Sequence, residues 1–148
     1  MTQPSLFGPQ GDNSATANID GGSRGNPGPA GYGVRIEQAD GSLVQLKESI
    51  ANATNNVAEY RGLLAALNWA AQHGIAKLHI RSDSLLLVKQ MQGEYRVKHP
   101  GLQPLHEEAR SLARRIGRVT FEHVRRELNK DADRLANEAM DEAAAAQT

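Results

Sequence analysis

Two periodicities divide the chain. Over residues 32–38 the apolar Tyr32, Val34 and Ile36 alternate with small or polar neighbours, and a second alternating run covers residues 42–50. Asp40-Gly41 stands between them, and two period-two runs around Asp-Gly predict a β-hairpin. Residues 16–23 read as a shorter strand running into glycines, so the first three strands are expected to form an antiparallel meander. The stretch from Gly21 to Gly31 is dense in Gly, Pro, Ser and Asn and is expected to be a loop.

Beyond residue 54 the apolar spacing changes to three and four: Val57, Tyr60, Leu64, Leu67 and Ala71 share one face. Thr54, Asn55 and Asn56 precede that face as cap formers and Gly74 follows it, so a helix is predicted between them. Ala76, Leu78 and Ile80 then alternate with Lys77, His79 and Arg81 in a fourth strand. Asp83 and Ser84 are placed to cap a short helix through Met91. A longer helix is predicted from Pro100 to Ile116, with Leu102, Leu105, Ala109 and Leu112 in one stripe, ended by Gly117. Residues 118–124 form a fifth strand, and a last helix starts near Lys130. The order β-β-β-α-β-α-α-β-α has no repeat and no internal linker. It implies an α/β chain in which helices cover a mixed sheet. The domain is expected to run over residues 16–142, between a disordered tail at 1–15 and a frayed tail at 143–148.

Composition narrows the chemistry. A chain of 148 residues supports one domain, and the absence of cysteine excludes disulfides, thiolate metal sites and a cysteine nucleophile. Any metal must be held by carboxylates, histidines or main-chain oxygens. No apolar run is long enough for a membrane span. The first residues have neither a basic start nor an apolar signal core, so a cytoplasmic protein is expected. The formal charge is zero, but residues 77–134 carry 13 Lys and Arg against 8 Asp and Glu, with the reverse imbalance elsewhere. A basic half on a neutral chain can meet a polyanion.

Four acids stand out by position. Asp20 ends the first strand, Glu59 lies in the first turn of the first long helix, Asp83 ends the fourth strand, and Asp133 lies in the first turn of the last helix. Ligands of open α/β sheets collect where strand ends meet helix N-termini. Four carboxylates gathered there would repel one another by several kcal/mol per close, poorly solvated pair, which a divalent cation would relieve. Two Mg²⁺ about 3.5–4 Å apart would clamp the attacking and leaving oxygens of a phosphodiester displacement. Each acid also has a structural reading. Glu59 follows Asn56 by three residues, as in a capping box. Asp83 can cap the next helix. Asp133, or its neighbour Asp131, can favour the positive helix end. Asp20, beside two glycines, has the weakest structural reading.

The motifs together resemble type 1 ribonuclease H. Residues 19–34 (IDGGSRGNPGPAGYGV) are similar to its first hairpin, residues 54–67 (TNNVAEYRGLLAAL) to its first helix, and residues 79–91 (HIRSDSLLLVKQM) to its fourth strand and following helix. Residues 124–139 (VRRELNKDADRLANEA) are similar to its last strand-to-helix segment, so the resemblance covers residues 16–142. It implies a ribonuclease H-like fold: a five-stranded mixed sheet, three strands antiparallel and then two parallel, flanked by helices. The activity it implies is endonucleolytic cleavage of the RNA strand of an RNA/DNA hybrid, leaving 5′-phosphate and 3′-hydroxyl ends. The cofactors would be two Mg²⁺, with Mn²⁺ as the alternative. A monomer with no organic cofactor and no membrane partner is expected.

The family's metal-binding acids fall on Asp20, Glu59, Asp83 and Asp133, which favours Asp133 over Asp131. Asn26, Asn55 and Asn56 match contacts to the minor groove and to RNA 2′-hydroxyls, and Thr54 matches a grip on a DNA phosphate. The Gly21 carbonyl and Ser23 line the same groove. Arg126 takes the place of a histidine found in many bacterial members, and a guanidinium cannot act as a base near neutral pH. The basic handle of some members is absent, and Arg96 and Lys98 remain as a reduced version, with Lys98 near a DNA-phosphate position. Weaker and salt-sensitive hybrid binding is expected.

Other motifs carry less. The glycine segment lacks the Gly-Lys-Ser/Thr of a phosphate-binding loop, and His73, His79, His99, His106 and His123 show no metal-ligand spacing. Two rival readings are a catalytically silent hybrid- or double-stranded-RNA-binding module and a DNA nuclease of the same fold. Retention of all four acids opposes the first, and the Asn55-Asn56 pair with the compact length opposes the second.

Overall fold

The computed structural model describes residues 13–147. Most of the expected N-terminal tail, residues 1–12, and Thr148 lie outside the described residues. The elements are β1 (Ser14–Ser23), β2 (Gly28–Gln38), β3 (Leu43–Ala53), α1 (Asn55–Gln72), β4 (Lys77–Ser82), α2 (Leu85–Met91), α3 (Gln103–Ile116), β5 (Arg118–His123), a 3-10 turn (Arg126–Leu128) and α4 (Lys130–Ala145). They form one five-stranded sheet in the order β3-β2-β1-β4-β5. β1, β2 and β3 pair antiparallel, and β1, β4 and β5 pair parallel, as expected. No helix among the described residues is long and apolar enough to cross a membrane.

The period-two alternation sorts each strand between two environments. Ala15, Ala17 and Ile19 of β1, Val34 and Ile36 of β2, and Leu78 and Ile80 of β4 bury one face against Tyr60, Leu63 and Leu67 of α1 and Ala109 and Leu112 of α3. The buried Tyr60 hydroxyl donates to Gln90 Oε1 at 2.7 Å, which ties α1 to α2. On the opposite face α4 packs over β2 and the neighbouring parts of β1 and β3.

Several boundaries differ from the expectation. The glycine-rich segment is almost wholly strand: only residues 24–27 lie between β1 and β2, and Asn26-Pro27 is a cis peptide. Its glycines serve the approach of helices more than a long loop. A Cβ on Gly33 would stand 2.5 Å from Ala132 O and from Leu135 Cβ, and one on Gly21 would stand 2.6 Å from the Ala58 carbonyl. Composition alone cannot distinguish a glycine that turns the chain from one that lets a helix lie against a strand. β1 also starts at Ser14, inside the expected tail. The long helix starts at Gln103 instead of Pro100, because the Leu102 and Gln103 amides both turn back to His99 O, and Pro104 occupies the first turn. At the C-terminus α4 continues to Ala145 with Ala143 only 3% exposed, and Gln147 Nε2 donates to Ala51 O, so residues 143–147 are not frayed.

The helix-to-sheet contact sets a stability test. Gly33→Ala should lower the unfolding free energy by about 1–3 kcal/mol through overpacking against backbone. Gly22→Ala should cost less, because its methyl would meet the flexible Met140 side chain at 3.3 Å. Urea unfolding midpoints at unchanged m-value check the order, and equal losses would contradict it.

Candidate active site

β1 and β4 stay paired only as far as Ile19 and Ser82. The next residue on each strand is an acid, Asp20 on β1 and Asp83 after β4. Asp20 is therefore not at the end of its strand, since β1 continues to Ser23 along β2. It stands where the parallel partner leaves, and the crevice at the carboxyl ends of parallel strands forms there.

The capping readings of Glu59 and Asp83 fail, while Asp133 keeps its place in the first turn of α4. Thr54 is the N-cap of α1, its Oγ1 accepting from Val57 N at 3.2 Å. The capping-box position is thus Val57, and Glu59 lies beyond the first turn, contrary to the expectation. Its carboxylate instead faces the Ser84 hydroxyl, which favours the charged form. Asp83 does not cap α2, because Ser84 does, accepting from Leu87 N at 3.3 Å. Asp131 is engaged elsewhere, with Arg35 Nε at 3.2 Å and Arg134 Nη2 at 3.9 Å. Asp133 is the acid of the first turn of α4 that faces the crevice.

One carboxylate oxygen from each of Asp20, Glu59 and Asp83 lies within 4.8 Å of the others. Asp133 stands outside that triad, close enough to Asp20 to raise its carboxyl. Burial pushes the Asp20 carboxyl up to about 8, with the Asp83 charge and then the Asp133 contacts adding to it. Burial also pushes Glu59 up to about 7, helped by Asp83 and opposed by the Ser84 hydroxyl. Asp83 is raised by burial too, against the pull of Arg126, whose Nε is 4.0 Å from Asp83 Oδ2. The Arg126 side chain is otherwise 82% exposed. Four carboxylates in one half-buried crevice are a hard-oxygen donor set, and a divalent cation there would reverse these shifts.

An open cavity of about 550 Å³ surrounds the acids, lined also by Gly21, Ser23, Asn55, Asn56, Ser84 and Arg126. Its rim is stitched together through amides. Asn26 Oδ1 accepts from Asn55 N at 2.9 Å, and Asn55 Oδ1 accepts from Ser23 N at 2.8 Å, fixing the β1–β2 connection to the start of α1. Thr54 sits beside this rim as the α1 cap. Lys98 is exposed on the connection between α2 and α3 and does not line the cavity.

Several neighbours escaped the sequence reading. Ser84 lines the cavity beside Glu59, and Arg24, held by Asp141 at 2.7 Å and Asn137 at 3.2 Å, forms part of the wall with Met140. Beneath the acids lie the buried Asn18 and Asn129. Their only sequence signal is adjacency: Ser84 follows Asp83, Asn18 precedes Asp20 by two, and Asn129 precedes Asp133 by one helical turn.

The family model described as reverse transcriptase-like matches residues 18–139. A bifunctional protein of Mycobacterium tuberculosis is 53% identical over 127 residues, covering 84% of this chain and 35% of that protein. The chain therefore spans about a third of the length of that curated relative. The solved N-terminal RNase H domain of Rv2228c from Mycobacterium tuberculosis superposes with a TM-score of 0.87 at 48% identity, over 91% of this chain and 99% of that one. LC11-RNase H1 in complex with an RNA/DNA hybrid superposes with a TM-score of 0.81 at 40% identity, over 87% of this chain and 98% of that one.

The raised carboxyls predict a pH dependence of stability. Without divalent ions, folded Asp20 and Glu59 keep protons that the unfolded chain releases near 3.8 and 4.5. Each step of pH above that range then favours the unfolded state until the folded groups also titrate, near 7 and 8. Melting in EDTA should fall from pH 4.5 to pH 8, and Asp20→Asn should flatten the fall. At pH 8 the variant should melt higher, by about 2–4 °C per kcal/mol recovered. An Asp20→Asn protein that melts lower would contradict the repulsion.

Proposed function

The chain belongs to the type 1 ribonuclease H family, and from that premise we propose that it hydrolyses the RNA strand of RNA/DNA hybrids with two divalent ions, leaving 5′-phosphate and 3′-hydroxyl ends. The observation that carries this reading is the gathering of four acids, none with a capping role, at the carboxyl ends of two parallel strands. The solved hybrid complex of a protein 40% identical to this chain supports the substrate class.

Asp20, Glu59, Asp83 and Asp133 are the residues that would hold Mg²⁺ or Mn²⁺. Bound there, the ions would supply charge neutralisation and Lewis-acid stabilisation of the attacking and leaving oxygens in a phosphodiester displacement. The chain's own groups then divide the remaining work. Arg126 places a permanent positive charge beside Asp83, where a backbone phosphate approaches, and takes no part in proton transfer. The Ser84 hydroxyl favours the charged form of Glu59, the form that would ligate an ion.

Discrimination of RNA from DNA falls to the amides. The acceptor halves of Asn26 and Asn55 are occupied by backbone N–H groups. Their Nδ2 groups have no partner among the described residues and are available to a 2′-hydroxyl or a base edge. Asn56 lines the same cavity, and the Gly21 carbonyl and Ser23 form its floor. Thr54 accepts a cap bond through Oγ1, which leaves its O–H to donate to a phosphate of the DNA strand. Lys98, apart from the crevice, supplies a distant phosphate contact in place of a basic handle.

A cleavage assay with either strand labelled tests the proposal on hybrid, double-stranded RNA and double-stranded DNA, in Mg²⁺ and in Mn²⁺. The expected result is cleavage of the RNA strand of the hybrid, lowered roughly 10²-fold or more by Asp20→Asn or Asp83→Asn. Arg126→Ala should cost less than either. Full cleavage by either acid variant would overturn the reading. Hybrid binding without cleavage in both metals would favour a non-catalytic binding module.

A further inference from the structure

We propose that Asn129 is a positioning residue whose buried carboxamide sets the separation of the acid-bearing segments of β1 and α4, and through it the affinity of the crevice for divalent ions. The inference rests on reading the four acids as a divalent-ion site. Asn129 is 1% exposed and occupies the N-cap position of α4, yet its side chain makes no cap bond. Asn is among the best N-cap residues. Here its amide is turned away from the helix and into the sheet.

There it bonds to the neighbours of two different acids. Asn129 Nδ2 donates to Ile19 O at 2.9 Å, the carbonyl immediately before Asp20. Asn129 Oδ1 accepts from Asn18 Nδ2 at 2.9 Å, and Asn18, 7% exposed, lies on the same strand face as Asp20. Asn18 Nδ2 also reaches Leu128 O at 3.3 Å. The main-chain carbonyl of Asn129 accepts from Asp133 N at 3.0 Å. One residue thus joins the peptide before Asp20 to the amide of Asp133.

The chemistry requires an amide. The side chain must donate to a carbonyl and accept from an amide at the same time, which a carboxylate, a hydrophobe or a lysine cannot do in this arrangement. A local rule broken at a helix cap, with the lost bond redirected beneath a functional crevice, marks a site effect more than a folding one. Divalent ions held by carboxylates from separate elements are sensitive to small errors in separation, and supporting hydrogen bonds of this kind tune metal affinity roughly 10–100-fold.

The test is Mn²⁺ binding without nucleic acid, read from the free-ion electron paramagnetic resonance signal, on wild type, Asn129→Leu and Asn18→Leu/Asn129→Leu. The double variant also removes the Asn18 carboxamide that the single variant leaves buried without its Asn129 partner, and keeps the test open if the single variant folds poorly. Both variants should bind Mn²⁺ at least tenfold more weakly at a temperature where circular dichroism shows them folded. The double variant should melt higher in EDTA than Asn129→Leu without regaining affinity. Affinity within threefold of wild type in the folded variants would overturn the proposal, as would affinity that recovers together with melting temperature. A wild type that binds no Mn²⁺ would instead remove the ion-site reading on which it rests.

Discussion

Carboxylates drawn out of water and toward one another are the costliest arrangement in this molecule, and the surrounding fold holds them in place. Burial is the first cause of the raised carboxyls at Asp20, Glu59 and Asp83, and their mutual charge adds to it. Nothing in the packing of the core calls for acids at these points. The fold answers with backbone constraints: β1 and β4 pair up to the residues before Asp20 and Asp83, and glycines let α1 and α4 lie directly on the sheet. Each acid is thereby fixed by a rigid element, as pre-organisation of a charged site requires.

The same constraint explains the walls of the crevice. A site of four acids repels a polyanion until it is neutralised, so permanent positive charge is placed at its edge, at Arg126 beside Asp83 and Arg24 beside Asp141. The uncharged part of the rim is built from amides whose acceptors are committed to backbone N–H groups, so what it offers outward is donors. Zero net charge for the whole chain hides an acidic crevice edged by Arg24 and Arg126.

Much of this was legible in sequence because side-chain periodicity reports burial directly. Tyr32, Val34 and Ile36, or Leu78 and Ile80, can alternate only if one strand face is covered, and Asp20 and Asp83 follow the last paired residues of β1 and β4. The glycine-rich stretch was misread because Gly31 is a glycine on account of Ala139, more than a hundred residues away, and Gly21 on account of Ala58. Glu59 looked like a cap partner because Asn56 and Thr54 are equally good cap formers, and only the backbone shows that Thr54 holds the role. Asn129 drew no notice because its carboxamide bonds to β1, a partner that local sequence does not display.

The raised carboxyls of the crevice keep protons until a cation displaces them. Calorimetric titration of the ion-free protein with Mg²⁺ or Mn²⁺ at pH 6.5, in buffers of different ionisation enthalpy, counts those protons. With Asp20 raised to about 8 and Glu59 to about 7, more than one proton per chain should be released on binding. Saturable binding with no proton release would contradict the claim that these buried carboxyls are the ion ligands.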